Sequence, residues 1–408
     1  MKTFSDVTVI GGGPCGSFTA LNLARIGVDV TVFEEHDEIG VPSHCAGHLS
    51  IIGLKRLGLH PLPTEIVENS FYGAKFHSPM GRTFSVRFTS PVTCVVNRTL
   101  FDQHIAKMAE EAGAYYSLKS RVKSLIVENG FVKGIVTKHN TQSEKRYLAK
   151  IVVDAEGISP RILRQTGLSA PNRRMRVNAV EAEVENVKET EPDMVEVFLG
   201  KCYAPGLYAW LIPKHEERAK VGLAAKAGDP REFLQRFMSK HPVASKKLYA
   251  AKLLQTSFHP IPLGGPIPKT YSNGFLAVGD AASQVKPTTG GGVIFGMTCA
   301  KVAAEVVYEA LDKNNFSSNF LSEYQKRCEE LLGFDVKVML KMRKMLDKMS
   351  DDKIDEAINF CTRFGLDKTL QNFDDLDFQG KSLMRILREP RVPVALLYIL
   401  FLYLFSNF

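Results

Sequence analysis

The stretch VIGGGPCGS, Val9 to Ser17, leaves a chain few ways to fold. Asp6 to Ile10 before it is apolar and β-branched, and Ser17 to Gly27 after it has helical apolar spacing and alanine, so strand, tight turn and helix are expected in immediate succession. Gly11, Gly13 and Gly16 fall in a G-x-G-x-x-G frame. Such a frame needs glycine first for the turn, second for close backbone approach to a pyrophosphate, and third for helix–strand packing. The helix amino terminus then offers unpaired N–H groups and a positive dipole end to phosphates. Val28 to Glu35, VDVTVFEE, reads as the second strand. Glu34 at its end, about eighteen positions beyond Gly16, is placed to accept from ribose hydroxyls. Tight βα turns need glycine whatever they bind, so the reading as a dinucleotide site rests on all these elements being in register.

At 408 residues the chain is long for a single core, and two interleaved domains are expected. The net charge of +8 is spread rather than blocky, which suits an acidic or phosphate-bearing partner or an anionic membrane surface. No dense Lys/Arg run is interleaved with aromatics, so nucleic acid is not an expected partner. Seven cysteines without a close C-x-x-C pair suggest neither a disulfide framework nor a zinc site, and a reducing, cytoplasmic setting is the default. The first strand begins at once, so no signal peptide is expected.

Farther along, Asn69 to Phe88 reads as paired strands around a Pro-Met-Gly turn, and PVTCVVNRTLFDQHIAKMAEEAGA as strand then helix. Arg121 to Glu128, Phe131 to Lys138 and Arg146 to Val153 alternate as an antiparallel meander. Val177 to about Lys226 is strand-rich, a helix is expected near Arg231 to Ser239, and the chain beyond the final glycine loop is helical. The expected class is α/β: a Rossmann-like nucleotide-binding domain (residues 1–60, 92–166 and 257–312) with an inserted antiparallel-sheet substrate domain (61–91 and 167–256). A helical C-terminal region, 313–408, completes it.

Three motifs join the glycine turn: VVNRTLFD with Arg98 and Asp102, DAEGISPRIL with Asp154 and Gly157, and GFLAVGDAAS with Gly279 and Asp280. An aspartate ending a strand before small residues that open a helix can accept sugar hydroxyls while free N–H groups face phosphate. Asp280 alone could be a helix cap, and Arg98 a surface residue. Together, in this order, the four motifs resemble the FAD-dependent oxidoreductases of the p-hydroxybenzoate hydroxylase type. That resemblance implies FAD, with Arg98 along the phosphate side and Asp280 on the ribityl and pyrophosphate. It also assigns Cys15 in the glycine turn and Glu35 beside Glu34 to the cofactor. In the third motif Ala155 and Glu156 separate Asp154 from Gly157, where the family has Asp-Gly.

Within that superfamily the chain resembles the geranylgeranyl reductases, especially the archaeal ones that saturate prenyl chains of membrane lipids. HCAG, His44 to Gly47, is similar to their C-x-G loop and puts Cys45, Ala46 and Gly47 near the flavin. YAWLIP, Tyr208 to Pro213, is similar to their Y-x-W-x-F-P signature, with Ile212 for phenylalanine. KPTTGGGV is similar to their flavin loop and assigns Gly291, Gly292 and Val293 to the cofactor. The implied activity is hydride transfer from reduced FAD, plus a proton, to an isoprenoid C=C bond. Tyr208 and Trp210 alternate with Ala209 and Leu211, so they share one strand face and could wall a prenyl chain, or Trp210 could be a core residue. Cys45 is the candidate catalytic group, donating the proton or placing the alkene, against the alternative of an inert structural thiol. The electron donor is left open among ferredoxin, NADPH and other reductants. A monooxygenase of the same fold, or a non-enzymatic prenyl-binding escort, are the alternatives.

The apolar run VPVALLYILFLYLF, Val392 to Phe405, follows Arg385, Arg388 and Arg391. As a helix it reaches roughly 21 Å, short of a hydrocarbon core about 30 Å thick. It is expected either to close the core or to anchor the protein peripherally at the cell membrane, the latter preferred because the inferred substrate is a membrane lipid.

Overall fold

The computed structural model describes residues 3–138, 144–371, 375 and 377–404. The chain divides into two compact units, one of Met1–Ser43, Arg98–Arg174 and Pro262–Phe334, the other of His44–Asn97, Met175–Ile261 and Asp335–Phe408.

Among the described residues the first unit holds an eight-stranded sheet. Its centre is four parallel strands, Phe275–Ala277, Lys145–Asp154, Phe4–Ile10 and Val30–Phe33, continued by Tyr115–Ser117. Val7, Val9, Val30, Val32, Val153 and Leu276 are all fully buried. That is why these segments read as unbroken apolar runs: a parallel sheet is covered on both faces. The register decides where the motifs go. Ile10 pairs with Asp154 and Phe33, and Asp154 with Ala277, so the four strands end in one row.

Arg121–Glu128 and Phe131–Lys138 pair antiparallel as expected. Lys145–Asp154 departs from a simple meander. Its first half pairs antiparallel with Phe131–Lys138, and it also runs parallel to Phe4–Ile10, its end reaching Phe275–Ala277. Its apolar second half fills the gap that a central parallel strand must occupy. The first helix, Pro14–Ala24, starts three residues earlier than the apolar spacing implied, because Pro14 needs no amide partner in a first turn.

The second unit contains, among the described residues, a seven-stranded sheet in the order Lys252–Pro262, Arg176–Glu185, Ala219–Ala225, Ala209–Pro213, Met194–Phe198, Gly73–His77, Thr83–Arg87. One face, with Val180, Ala182, Leu211, Val221 and Leu223, is packed by the helices Pro230–Lys240 and Ala244–Leu248. The other meets a three-stranded sheet of His48–Ser50, Thr93–Val96 and Val67–Phe71. Residues 44–60, grouped by sequence with the nucleotide elements, go with this unit, since His48–Ser50 pairs with Thr93–Val96. The expected C-terminal region is divided: residues 313–334 go with the first unit and Asp335 onward with this one, where Ile358, Leu366 and Ala395 pack on Phe84 and Val86.

Candidate functional site

In the first unit the row of strand ends places the glycine turn, Glu34, the Ala155–Gly157 turn and the Gly279–Ala282 turn side by side. Ligands of such sheets bind at this carboxyl edge. The glycines there separate by what surrounds them. Gly11, at φ +95°, and Gly16 are demanded by the protein: a Cβ would lie 2.4 Å from the Ala155 carbonyl oxygen and 1.9 Å from that of Gly11, respectively. Gly13 is different. It has φ −67° and ψ −178°, which any residue can adopt, and a Cβ there would meet nothing within 4 Å. Its smallness leaves room for a group outside the polypeptide, beside a helix start that has no side-chain cap.

A cleft of about 240 Å³ opens there, lined among others by Gly11, Gly13, Glu34, Glu35, Glu156 and Arg161. Glu34 accepts from Gly12 N at 2.7 Å through Oε2, while Oε1 accepts from His36 N at 2.9 Å and also meets the His36 ring Nδ1 at 2.6 Å, which leaves Oε2 the freer oxygen. A carboxylate has about four lone-pair sites, so acceptor capacity is left for a sugar. Glu35 is paired with Arg121 at 3.2 Å and Arg161 at 3.3 Å, the latter also on the cleft wall.

Asp154 lies fully buried beneath its turn, and Ala155, Glu156 and Gly157 line the cleft above it. Its Oδ1 accepts from Glu156 N at 3.1 Å, while Oδ2 is buried without a hydrogen-bond partner among the described residues. Burial, and then the charge of Glu156, raise the Asp154 carboxyl well above its ordinary value, and burial raises Glu156 too. Glu156 itself collects the backbone amides of Arg161, Ile162 and Leu163. The residue that breaks the Asp-Gly pattern therefore caps the Leu163–Thr166 turn.

Arg98, Cys15 and Asp280 come from three motifs and converge. Arg98 grips Asp102 through two hydrogen bonds of 3.1 and 2.9 Å. Burial first, then the charge of Asp280, raise the Cys15 thiol, and Arg98 opposes them. Cys15 is packed where Gly279 and Gly296 leave space: a Cβ would come within 2.9 and 2.5 Å of its sulfur. A buried relay fixes the Asp280 turn, with Tyr324 donating to the Ala277 carbonyl at 3.0 Å, Gln284 to Tyr324 at 2.6 Å, and Gly279 N to Gln284 at 2.8 Å. Asp280 stands beside Gly292, the uncapped start of the helix Val293–Asp312, and Gly291 lies against the Lys286 side chain. Gly296, Gln284 and Tyr324 were not legible as site residues, because their roles depend on packing between helices distant in sequence.

In the second unit the cysteine loop and the YAWLIP strand meet. Cys45 is exposed, and its sulfur accepts from Gly47 N at 3.4 Å. Ala46 packs in a cluster with Trp210, Val197, Phe71 and Ile212. The Tyr208 and Trp210 rings stand edge-to-face at 6.0 Å, on the strand face opposite the buried Ala209 and Leu211. His44 stacks on His259 at 5.8 Å. Lys220, not identified from sequence, ties the loop down: it donates to the Ala46 carbonyl at 3.1 Å, the Val96 carbonyl at 3.1 Å and Glu68 at 2.6 Å. A lone lysine within the apolar strand AKVGLAA was the available signal.

A family model described as an FAD binding domain matches residues 5–331. A digeranylgeranylglycerophospholipid reductase 2 of Methanothermobacter thermautotrophicus is 33% identical over 390 residues, covering 94% of this chain and 96% of the relative. The chain belongs to the digeranylgeranylglycerophospholipid reductase family. A reductase of that name from Methanocaldococcus jannaschii is 35% identical over 353 residues, covering 86% of this chain and 88% of its own. The fold matches the crystal structure of a geranylgeranyl bacteriochlorophyll reductase-like protein from Thermoplasma acidophilum, with TM-score 0.86 and 27% identity over 98% of this chain and 100% of that one. FAD is the cofactor of the family member described here. Its fit is visible in the open space at Gly13, the two uncapped helix starts and the spare acceptor capacity of Glu34.

Proposed function

We propose that this chain saturates C=C bonds in the geranylgeranyl chains of archaeal-type membrane lipids. Reduced FAD supplies the hydride. Family membership supports the lipid class, and the observation that carries the reading is the meeting of the Cys45 loop with Trp210 on the second unit's sheet. The pyrophosphate is assigned to the amides behind Gly13 and to Arg98, the ribose to Glu34, and the ribityl chain to Asp280 and the Gly291–Val293 helix start. Tyr208 and Trp210 are assigned to the wall of the prenyl site. Burial raises the Tyr208 hydroxyl to about 12, so it stays neutral beside an apolar chain. Cys45 is assigned to the alkene half-reaction. The electrons come from a ferredoxin, NADPH or another small reductant.

Peripheral membrane contact is part of the proposal. No helix among the described residues is long and apolar enough to cross a membrane. The helix Arg391–Leu404 buries Val392, Ala395 and Leu402, while Val394, Leu397, Leu400 and Phe401 are 48, 66, 45 and 53% exposed. One face thus closes core, and the other presents an apolar stripe next to the exposed Arg385, Arg388 and Arg391. This combination supports docking on anionic lipid. Phe405, the last residue of the apolar run, lies outside the described residues.

The functional test is lipid analysis after co-expression with a pathway that makes unsaturated archaeol lipids. Saturated chains are expected with the intact protein and not with Asp280→Ala; unsaturated lipids in both cases would overturn the proposal.

A further inference from the structure

The face of the seven-stranded sheet that carries Trp210 also carries Glu181, Glu183 and Lys220. Glu181 pairs with Gly222, and Gly222 with Trp210, so the three form one row across adjacent strands. Glycine is required between them: a Cβ at 222 would lie 2.5 Å from the indole carbon Cζ2. The missing side chain lets the indole lie toward Glu181.

Two neighbouring carboxylates have cations, Glu183 on the same face and Glu68 on the three-stranded sheet. Glu68 is bound by Lys214 at 2.8 Å and Lys220 at 2.6 Å, and Glu183 by Lys214. Lys220 has three donors, and Glu68, Ala46 and Val96 take them. Glu181 has no cation within ion-pair distance among the described residues; its buried Oε2 and the buried Trp210 Nε1 make no well-formed hydrogen bond, and the indole N–H is the donor that acts on this carboxyl. A buried carboxyl oxygen left in that condition is costly and calls for a cause.

We propose, on the basis of the reductase activity above, that Glu181, set beside Trp210, stores the proton consumed in alkene reduction. A hydride added to one alkene carbon must be matched by a proton on its neighbour. The Glu181 O–H bond breaks, a C–H bond forms at that neighbour, and the carboxylate left behind takes a proton from water before the next turnover. Cys45 then serves to position the alkene. The electrostatics agree with this role: burial pushes the Glu181 carboxyl up to about 7, Lys220 and Trp210 pull it back, and Glu183 and Glu68 add to the rise. The group is therefore substantially protonated at neutral pH, and can be discharged and recharged there.

The test uses the FAD-loaded protein, reduced with dithionite and mixed anaerobically with digeranylgeranylglycerol phospholipid, with flavin reoxidation followed from pH 5 to 9. The wild-type rate should fall above about pH 7. Glu181→Gln should be at least tenfold slower and lose that inflection, and Glu181→Asp should restore part of both. Thermal unfolding gives a second readout that needs no substrate. A carboxyl raised in the folded state loses its proton more readily on unfolding. Wild-type stability should therefore fall relative to Glu181→Gln as pH rises from about 4.5 to 7, then run parallel to it. A Gln variant with the wild-type rate and pH profile would overturn the role of Glu181 while leaving the reductase intact. Wild-type protein that is not reoxidised by the lipid would sink both.

Discussion

Replacing Gly13 with alanine should leave the fold unchanged and strip the cofactor, whereas the same change at Gly16 should damage both. At Gly13 the backbone suits alanine and a new methyl meets no protein atom within 4 Å. Loss of a helix-start glycine costs a few tenths to about 1 kcal/mol, and reduced freedom of the unfolded chain returns about 0.4–1 kcal/mol. The net change in the apoprotein should stay within about 0.5 kcal/mol. At Gly16 the methyl would sit 1.9 Å from the Gly11 carbonyl oxygen, so strand end and helix must separate. Overpacking of this kind costs about 1–3 kcal/mol or more. The assays are flavin absorbance per chain and urea unfolding of the apoproteins. Gly13→Ala should bind FAD at least tenfold more weakly, about 1.4 kcal/mol, with an unchanged urea midpoint. Full flavin in Gly13→Ala would refute the placement of the pyrophosphate at this turn.

Asp280→Ala should lose most of its flavin while staying folded, read as absorbance per chain after gel filtration. Cys45→Ser should be reduced by dithionite at the wild-type rate yet saturate prenyl chains slowly; equal single-turnover rates would return Cys45 to a structural role. Burying a whole Leu or Phe side chain is worth about 1.5–3 kcal/mol, and Leu397 and Phe401 have more than half of theirs to bury. Leu397→Glu with Phe401→Glu should thus cut binding to anionic liposomes by on the order of 50-fold in flotation, and unchanged flotation would make the stripe irrelevant to membranes. Burial pushes the Glu196 carboxyl upward, but His77 and Lys247 outweigh it and hold it below its ordinary value. Its stabilisation is present above about pH 4.5 and lost as the pH falls through the lowered value. Glu196→Gln should therefore cost about 3–5 kcal/mol at neutral pH and less in acid, by urea unfolding.

What the sequence disclosed was local. The Gly11–Gly16 turn, the Arg121–Lys138 hairpin and the helix Pro230–Lys240 each follow from a few neighbouring residues. Lys145–Asp154 was only partly legible, because its change from antiparallel to parallel partners is set by strands far away in the chain. Glu181 and Glu183 alternate with apolar residues in EAEVE, the pattern of a strand with one wet face. Only the row Glu181, Gly222 and Trp210, drawn from three strands, sets that carboxyl against an indole and raises it. The terminal helix is apolar all round, so no periodicity could show which side Ala395 and Leu402 would bury.

The central claim is that electrons held on this protein's flavin end in a prenyl C=C bond. The direct measurement is an anaerobic titration of the dithionite-reduced, FAD-loaded protein with digeranylgeranylglycerol phospholipid, following flavin absorbance and lipid mass in the same samples. The account predicts that each flavin reoxidised is matched by one pair of hydrogens gained by the lipid, and that Cys45→Ser slows both together. Flavin that stays reduced in the presence of lipid and is reoxidised only when oxygen is admitted would contradict it.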